Sequence, residues 1–453
     1  MKIRFAAVAV IVALGGVALS SPGDAAGRRA LVVCKHGCRY RTIQSAVDHV
    51  RRAKRSIVRV KSGHYHEGVQ LFGHRYDGLT IAGSAKSPRK VVLDGRNAHL
   101  RGKRAELAQN GIEAVNVDGL KVRRIWVRRF PSNGVFIRSD PGDHCHGFRL
   151  RRDLASYNGA YGLYALHCTG GRIVRSAGWG QGDSAFYIGA TPPQDHPAWT
   201  WIHHDTAYEN VRGFSGTNSK YVDIRHSMFF NNGVGVVANT SNGELFPPTG
   251  HARIRDNYIF WNNFNYFLPD SPVEAAPQRV ERGSSSAAAA VPTGVGVLIV
   301  GGDGWRVKRN RIFGNFFWGA AAVSNPLDRT GQAISEDNLF AVNAMGRGGT
   351  DTNRFDLFSD GSGSGNCFAA NISSTFDIAP DATHPAEFLY PRCPAPPDAG
   401  TGTIYGDGGQ VHELASYLFS DPPCSQEDQW ARHPHPDFRG YTPIDTRDLG
   451  PCR

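Results

Sequence analysis

The sequence predicts an all-β solenoid, a parallel β-helix, and three observations carry the prediction. First, eight segments align without gaps: LKVRRIWV (120–127), FRLRRDLA (148–155), GRIVRSAG (171–178), TWIHHDTA (200–207), VDIRHSMF (222–229), ARIRDNYI (252–259), WRVKRNRI (305–312) and QAISEDNL (332–339). Their third position is always aliphatic, from Val122 to Ile334, and recurs after 28, 23, 29, 22, 30, 53 and 27 residues. Second, a short alternating run lies between these segments, as in NGIEAV, NGVFIR, YGLYAL, SAFYIG, RGFSGT, VGVVAN, GVGVLIV and WGAAAV. A period that already holds two short strands has no room for a helix of ordinary length. Third, the sixth position is Asp, Ser or Asn in every segment but the first. Such side chains bond turn backbone. Stacked at about 4.8 Å per coil, they form ladders.

The remaining elements follow in chain order. Lys2 and Arg4 precede the apolar stretch FAAVAVIVALGGVAL (5–19), and small residues follow. This is the pattern of a signal peptide spanning 1–27. No later stretch is long and apolar enough to span a membrane. The expected protein is therefore secreted, extracellular or in the cell envelope. TIQSAVDHVRRA (42–53) puts Ile43, Ala46, Val47 and Val50 on one helical face, with Thr42 at its start. It reads as an N-terminal capping helix over the exposed end of a solenoid. The 53-residue interval contains an insertion at about 270–294, including the low-complexity ERGSSSAAAAVPTG (281–294). Beyond 375 the pattern fades. Residues 376–453 read as a Pro- and Cys-rich extension over the far end, or as a separate small module.

In an exported chain the eight cysteines are expected in disulfides. Cys34 and Cys38 suit a local bridge, and Cys145 and Cys168 differ by one coil and suit a bridge between coils. Spacing does not fix the pairing of Cys367, Cys393, Cys424 and Cys452. A metal site of Asp143, His144, His146 and His167 is the competing reading, and the preferred expectation has no metal and no cofactor.

The order YRTIQSAVDHV, IVRVKSGHYHEGV, LTIAG, VVLDG resembles the start of right-handed parallel β-helix proteins of the pectate-lyase-like superfamily. The resemblance covers about 31–375. It implies a right-handed coil, and it leaves the activity open, because that superfamily includes lyases, hydrolases, epimerases, tailspikes and non-catalytic proteins. Polygalacturonase motifs are absent, and DPGD (140–143) only loosely echoes the DPHD-type element of mannuronan epimerases.

Alternation assigns the faces of the second motif. One outward column is Glu113, Phe136, Tyr164, Tyr187, Ser215, Val237, Leu298 and Ala321; the next includes Arg138, Thr217 and Asn239. Asp183 stands at the turn entering Tyr187's strand, and His167 follows Tyr164's strand. Aromatic faces suit sugar rings and arginine suits carboxylates. Glu113, Tyr164, Thr217 and Asn239 are thus candidate substrate contacts. For proton abstraction next to a uronate carboxylate, Arg138 is the candidate neutraliser and His167 a base. Tyr187 or Tyr164 is an acid or base. Asp183 orients a tyrosine or, as a weaker alternative, binds Ca²⁺. The alternative is that the tyrosines pack beneath the loop GATPPQDHPAWTW (189–201). Asp205, in WIHHDTAYEN, is assigned to the turn ladder rather than to catalysis, and His203, His204 and His226 flank it.

The net charge of +11 favours anionic partners such as acidic polysaccharide, with solubility as the plainer explanation. No nucleic-acid-binding module is recognisable. The expectation is a monomer that binds, and in one version modifies, a uronic-acid polymer. The alternative is a non-catalytic carbohydrate-binding scaffold.

Overall fold

The computed structural model describes residues 29–373, apart from 144, 264–292 and scattered positions between 316 and 354, together with 393 and 394. The leader at 1–27, most of the insertion at 270–294, His144, Cys424, Cys452 and nearly all of 376–453 lie outside the described residues.

The chain winds through three parallel sheets, here called A, B and C, of 12, 11 and 10 strands. Each coil contributes one strand to each sheet: Lys121–Arg123 to A, Trp126–Arg128 to B and Val135–Arg138 to C. The next coil repeats the set in register, so Val122 faces Leu150, Val127 faces Ala155 and Val135 faces Leu163. This is a parallel β-helix. Its inward columns are apolar because one face of each short strand has no water to meet. In sheet A the buried column runs Ile81, Val122, Leu150, Ile173, Ile202, Ile224, Ile254, Val307 and Phe340. At about 4.8 Å per strand, sheet A is about 53 Å long.

The turn from sheet A to sheet B is sharp and repeats. Arg124, Arg152, Arg175, His204, His226, Asp256 and Arg309 all take left-handed φ, between 50 and 59°. Each such non-glycine residue costs about 1 kcal/mol or more. The next residue offsets that cost through a ladder. Asp153 accepts from the Ile125 N–H, Ser176 from Asp153, Asp205 from Ser176, Ser227 from Asp205, Asn257 from Ser227 and Asn310 from Asn257. A second ladder, not anticipated, lines the turn from B to C. It runs Asn158, Gln181, Asn210, Asn232, Asn262, Asn315 and Asn353, each accepting from the backbone N–H one coil earlier.

Two expectations are corrected. Segment 332–339 was aligned six residues early. Phe340, not Ile334, fills the inward column, and Asn343, not Asp337, accepts from Asn310. Ile334 is exposed. The helix expected over 42–53 is shorter. The observed α1 spans Ile43–Asp48, with Thr42 Oγ1 accepting from the Ser45 N–H. The chain is extended again at Arg52, because a short 3-10 turn at Ala53–Arg55 feeds the strand Ser56–Val60. Ile43, Ala46, Val47 and Val50 join the core, and α1 lies against the strands Arg29–Val33, Ser56–Val60 and Val69–Phe72.

The ladder contains one misfit. Asp205 is fully buried, and among the described residues its Oδ2 finds no well-formed hydrogen bond, with only the His203 backbone N–H beside the carboxylate besides that of Ser176. Burial pushes its carboxyl well above the usual range. Asn257 and Asn310, in the same column, use their amide to donate to the Ile224 and Ile254 carbonyls. Asp205→Asn is therefore expected to stabilise the protein by about 1–3 kcal/mol at pH 8. The sign follows from linkage: a carboxyl with a raised folded-state pKa contributes stability below its unfolded pKa and loses it as pH rises. The gain should shrink toward pH 4, which melting curves across pH would read.

Candidate aromatic and charged site on sheet C

The strands Val135–Arg138, Leu163–Leu166 and Ser184–Gly189 are consecutive in sheet C. Register places Glu113, Phe136, Tyr164, Tyr187 and Ser215 in one outward column. Phe136 stacks on Tyr164 with ring centroids 4.4 Å apart, and Tyr187 meets Tyr164 edge-on at 4.7 Å. Tyr161, just before the middle strand, lies 4.6 Å from Tyr164 and 4.7 Å from Tyr187. Phe136, Tyr161 and Tyr164 are partly exposed, whereas Tyr187 is buried. The Tyr187 ring leans over Gly189, where a Cβ would fall 2.3 Å from it.

Beneath the tyrosines lies a buried ion pair. Arg212 Nη1 donates to both carboxylate oxygens of Asp183, at 3.0 and 3.1 Å, and the Ser184 hydroxyl donates to Asp183 as well. Both charged side chains are at most one-tenth exposed. The sequence reading missed Arg212. A signal was present: its column otherwise holds Ser184, Val234, Val295 and Trp318. An arginine at such a sheltered position requires a partner.

The loop over the site is not the one expected. Residues 189–201 go to sheet A's side, where Trp199 meets Tyr221 and Arg253. Residues 241–248 fold back instead. Asn218 Nδ2 donates to the Ser241 and Leu245 carbonyls, Lys220 Nζ to the Phe246 carbonyl, and Phe246 meets the His167 ring at 5.8 Å. Glu244 of this loop interacts electrostatically with Tyr164 and Tyr187. Partial desolvation raises its carboxyl above the usual range. All three phenols are raised, mainly by burial and then by neighbouring negative charge. They stay protonated at neutral pH and act as donors, not bases.

The other candidates have partners of their own. Arg138 is paired with Asp140, which Asn116 also holds, so it is a shared rather than a lone cation. His167 Nδ1 lies 3.1 Å from the Ser139 carbonyl. A carbonyl only accepts, so Nδ1 carries a hydrogen. Thr217 donates to Asn239 Oδ1 at 3.2 Å and hydrogen-bonds Tyr187. Glu113 sits two coils from Tyr164, between Gln70 and Phe136. Asp183 is committed to Arg212, which leaves it a poor Ca²⁺ ligand.

Cys145 and Cys168 pair in register and form a disulfide, as do Cys34 with Cys38 and Cys367 with Cys393. The bridge accounts for the two cysteines, and His144 of the alternative metal reading lies outside the described residues. Among the described residues ligand atoms converge at His74, Asp77 and Asp118, each within 4.8 Å of the others on the surface, and Asp143 and His146 border this group, at 3.1 Å from His74 and 3.2 Å from Asp118. Their carboxylates already serve backbone and imidazole groups, with Asp77 accepting from the Asp118 N–H and Asp118 from the His146 N–H.

No protein-family model and no curated protein matches the sequence. Solved structures do. One is the Azotobacter vinelandii mannuronan C-5 epimerase AlgE4 A-module, at 14% identity and a TM-score of 0.46, covering 73% of this chain and 90% of that one. Another is the catalytic domain of a GH87 alpha-1,3-glucanase in complex with nigerose, at 11% identity and a TM-score of 0.46, covering 79% and 67%. The chemistry of these proteins is their own. Among the described residues no helix is long and apolar enough to cross a membrane.

Proposed function

We propose that the protein is an extracellular or cell-envelope β-helix that binds polysaccharide along the outer face of sheet C. The observation that carries this reading is the run of aromatic rings Phe136, Tyr164, Tyr161 and Tyr187 across adjacent coils, beside the Asp183–Arg212 pair. Partly exposed rings offer faces to sugars, and the neutral phenols offer donors to their hydroxyls. In the same reading α1 shields the first coil and 376–453 covers the other end.

A second reading, uronate lyase or epimerase action, is favoured by the groups that gather around the loop. His167 spends Nδ1 on the Ser139 carbonyl and keeps Nε2 for a substrate, burial keeps the Tyr187 phenol protonated, desolvation raises the Glu244 carboxyl, and Arg138 lies on the same face. In this scheme His167 takes the C5 proton while Arg138 neutralises the sugar carboxylate. Glu244 or Tyr187 then protonates the leaving oxygen or returns a proton to C5.

One experiment separates the two. The protein is titrated with a panel of neutral and uronic-acid oligosaccharides, followed by absorbance for unsaturated product and by NMR for C5 inversion. Tyr164→Ala is expected to weaken binding about tenfold, the loss of one aromatic platform and its donor. Unchanged affinity in that variant would refute the sheet C site. Turnover that Glu244→Gln abolishes without loss of binding would establish the second reading, and no turnover across the panel would leave the binder.

A further inference from the structure

The outward side of sheet A carries a concentration of charge that folding does not require. Three consecutive coils read KVRR (121–124), RLRR (149–152) and RIVR (172–175) across the sheet A strand and its turn. Val122, Leu150 and Ile173 point into the core. Eight of the nine remaining positions are Lys or Arg, with Val174 the exception. Register sets them side by side, with Lys121 beside Arg149, Arg149 beside Arg172 and Arg123 beside Arg151. Like charges directly opposite on neighbouring strands destabilise a sheet, and any polar residue would serve at these positions. Arg149, Arg151, Arg152, Arg172 and Arg175 are exposed, and no ion pair is found for them among the described residues. Farther along the same columns part of the charge is neutralised, since Arg255 meets Asp223 and Arg309 meets Asp256, while Arg225 and Arg253 lie over the Trp201 and Trp199 rings. The basic residues are therefore densest over these three coils, two coil rises or about 10 Å along the axis. This also fits the distribution of charge: residues 28–375 hold 44 of the 51 Lys and Arg but 27 of the 40 Asp and Glu.

We propose that this face of sheet A is a second binding site, separate from the sheet C cluster, for a segment of a linear anionic polysaccharide. Two features favour a glycan over a nucleic acid. Basic side chains recur once per coil along straight columns on an open sheet, with no groove to take a duplex. An acidic glycan presents one charge per sugar or per few sugars, a repeat of the same order as the coil rise. A duplex strand presents one about every 3.4 Å along a helical path. The disulfides Cys34–Cys38 and Cys145–Cys168 suit an oxidising compartment, where carboxylated and sulfated glycans are the standing polyanions. Beyond the patch the first column continues with the half-exposed Trp201, in register with Arg172, an aromatic surface for the sugar beyond the charged ones.

The test uses the full-length protein and three probes: polygalacturonate for carboxylates, dextran sulfate for sulfates and single-stranded DNA for phosphates. Neutral dextran is the control. The variant Arg149→Gln/Arg152→Gln/Arg172→Gln/Arg175→Gln removes four exposed charges and no hydrogen bond or ion pair found among the described residues, and a second variant, Arg151→Gln/Arg172→Gln, guards against an unfolded product. Binding of one glycan polyanion that falls about tenfold or more in the quadruple variant, and falls with salt in the wild type, supports the site. Which glycan is lost identifies carboxylate or sulfate. Tyr164→Ala should leave this salt-sensitive component intact, so failure here is distinguishable from failure of the sheet C reading. Equal polyanion affinity in folded variant and wild type overturns the proposal, and so does tighter binding of DNA than of either glycan.

Discussion

Replacing Arg212 with alanine is expected to destabilise the protein by about 3–5 kcal/mol. The reason lies in what is left behind. Asp183 is 10% exposed and Arg212 supplies both of its charged contacts. Without that guanidinium the Ser184 hydroxyl and the surrounding phenols must hold a carboxylate out of water, and the group must protonate or the coil must open. Arg212→Lys should recover part of the loss, since a single nitrogen, Nη1, meets both oxygens and an ammonium brings the same charge on a shorter stem. Asp183→Asn/Arg212→Met should recover most of the loss, because the column around Arg212 is already apolar and a buried pair replaced whole is often neutral. Chemical denaturation of the four proteins at pH 7 reads the series. An Arg212→Ala protein with wild-type stability would mean that Asp183 is hydrated, and the tyrosine cluster with it. If the single variant is unstable but the double variant folds and still binds glycan, the pair is structural and the rings alone recognise the sugar.

How much of this was legible beforehand differs by element. The coil was legible because its period-two strands and its ladder repeat in the chain itself, so Ile173, Ile202 and Ile224 identify one another. The outward column of Glu113, Phe136, Tyr164 and Tyr187 follows from the same register. The second ladder was equally present, five residues after the first, in Asp153–Asn158, Ser176–Gln181, Asp205–Asn210, Ser227–Asn232, Asn257–Asn262 and Asn310–Asn315. It was missed because the segments compared were only eight residues long. The misplacement of Phe340 has a different cause: the loop after Val323 lengthens that coil, and Ile334 happened to match the expected spacing. What covers Tyr187 was not legible at all. The contacts of 241–248 with Asn218 and Lys220 join residues from separate turns and leave no periodic trace. Burial of Tyr187, and with it the protonated state of its phenol, therefore had to come from the fold.

The second ladder makes the other large prediction. Asn232 occupies an interior rung and is fully buried. Its Oδ1 accepts from the Asn210 N–H at 3.2 Å and from Asn210 Nδ2 at 2.9 Å. Its Nδ2 donates to the Ala207 and Phe230 carbonyls, both at 3.1 Å, and to Asn262 Oδ1 at 3.1 Å. Asn232→Ala removes an acceptor from below and a donor from above at once. The Asn210 N–H and Nδ2, the Ala207 and Phe230 carbonyls and Asn262 Oδ1 then lose a shared partner inside the coil. At about 1–3 kcal/mol for each buried group left unmade, the loss should reach about 3–5 kcal/mol. The first ladder's last described rung, Asn371, sits at a partly exposed end, and Asn371→Ala should cost about 1 kcal/mol. Asn232→Gln should fall between, because Gln181 already fills a rung and accepts from the Asn158 N–H at 3.2 Å. Equal melting temperatures for the two alanine variants would show that the ladder decorates the turns without holding them. A large gap, with hydrogen exchange accelerated first at the turns holding Asn210 and Asn232, would show that the rungs bear the cost of the left-handed corners and keep the sheet C face in register.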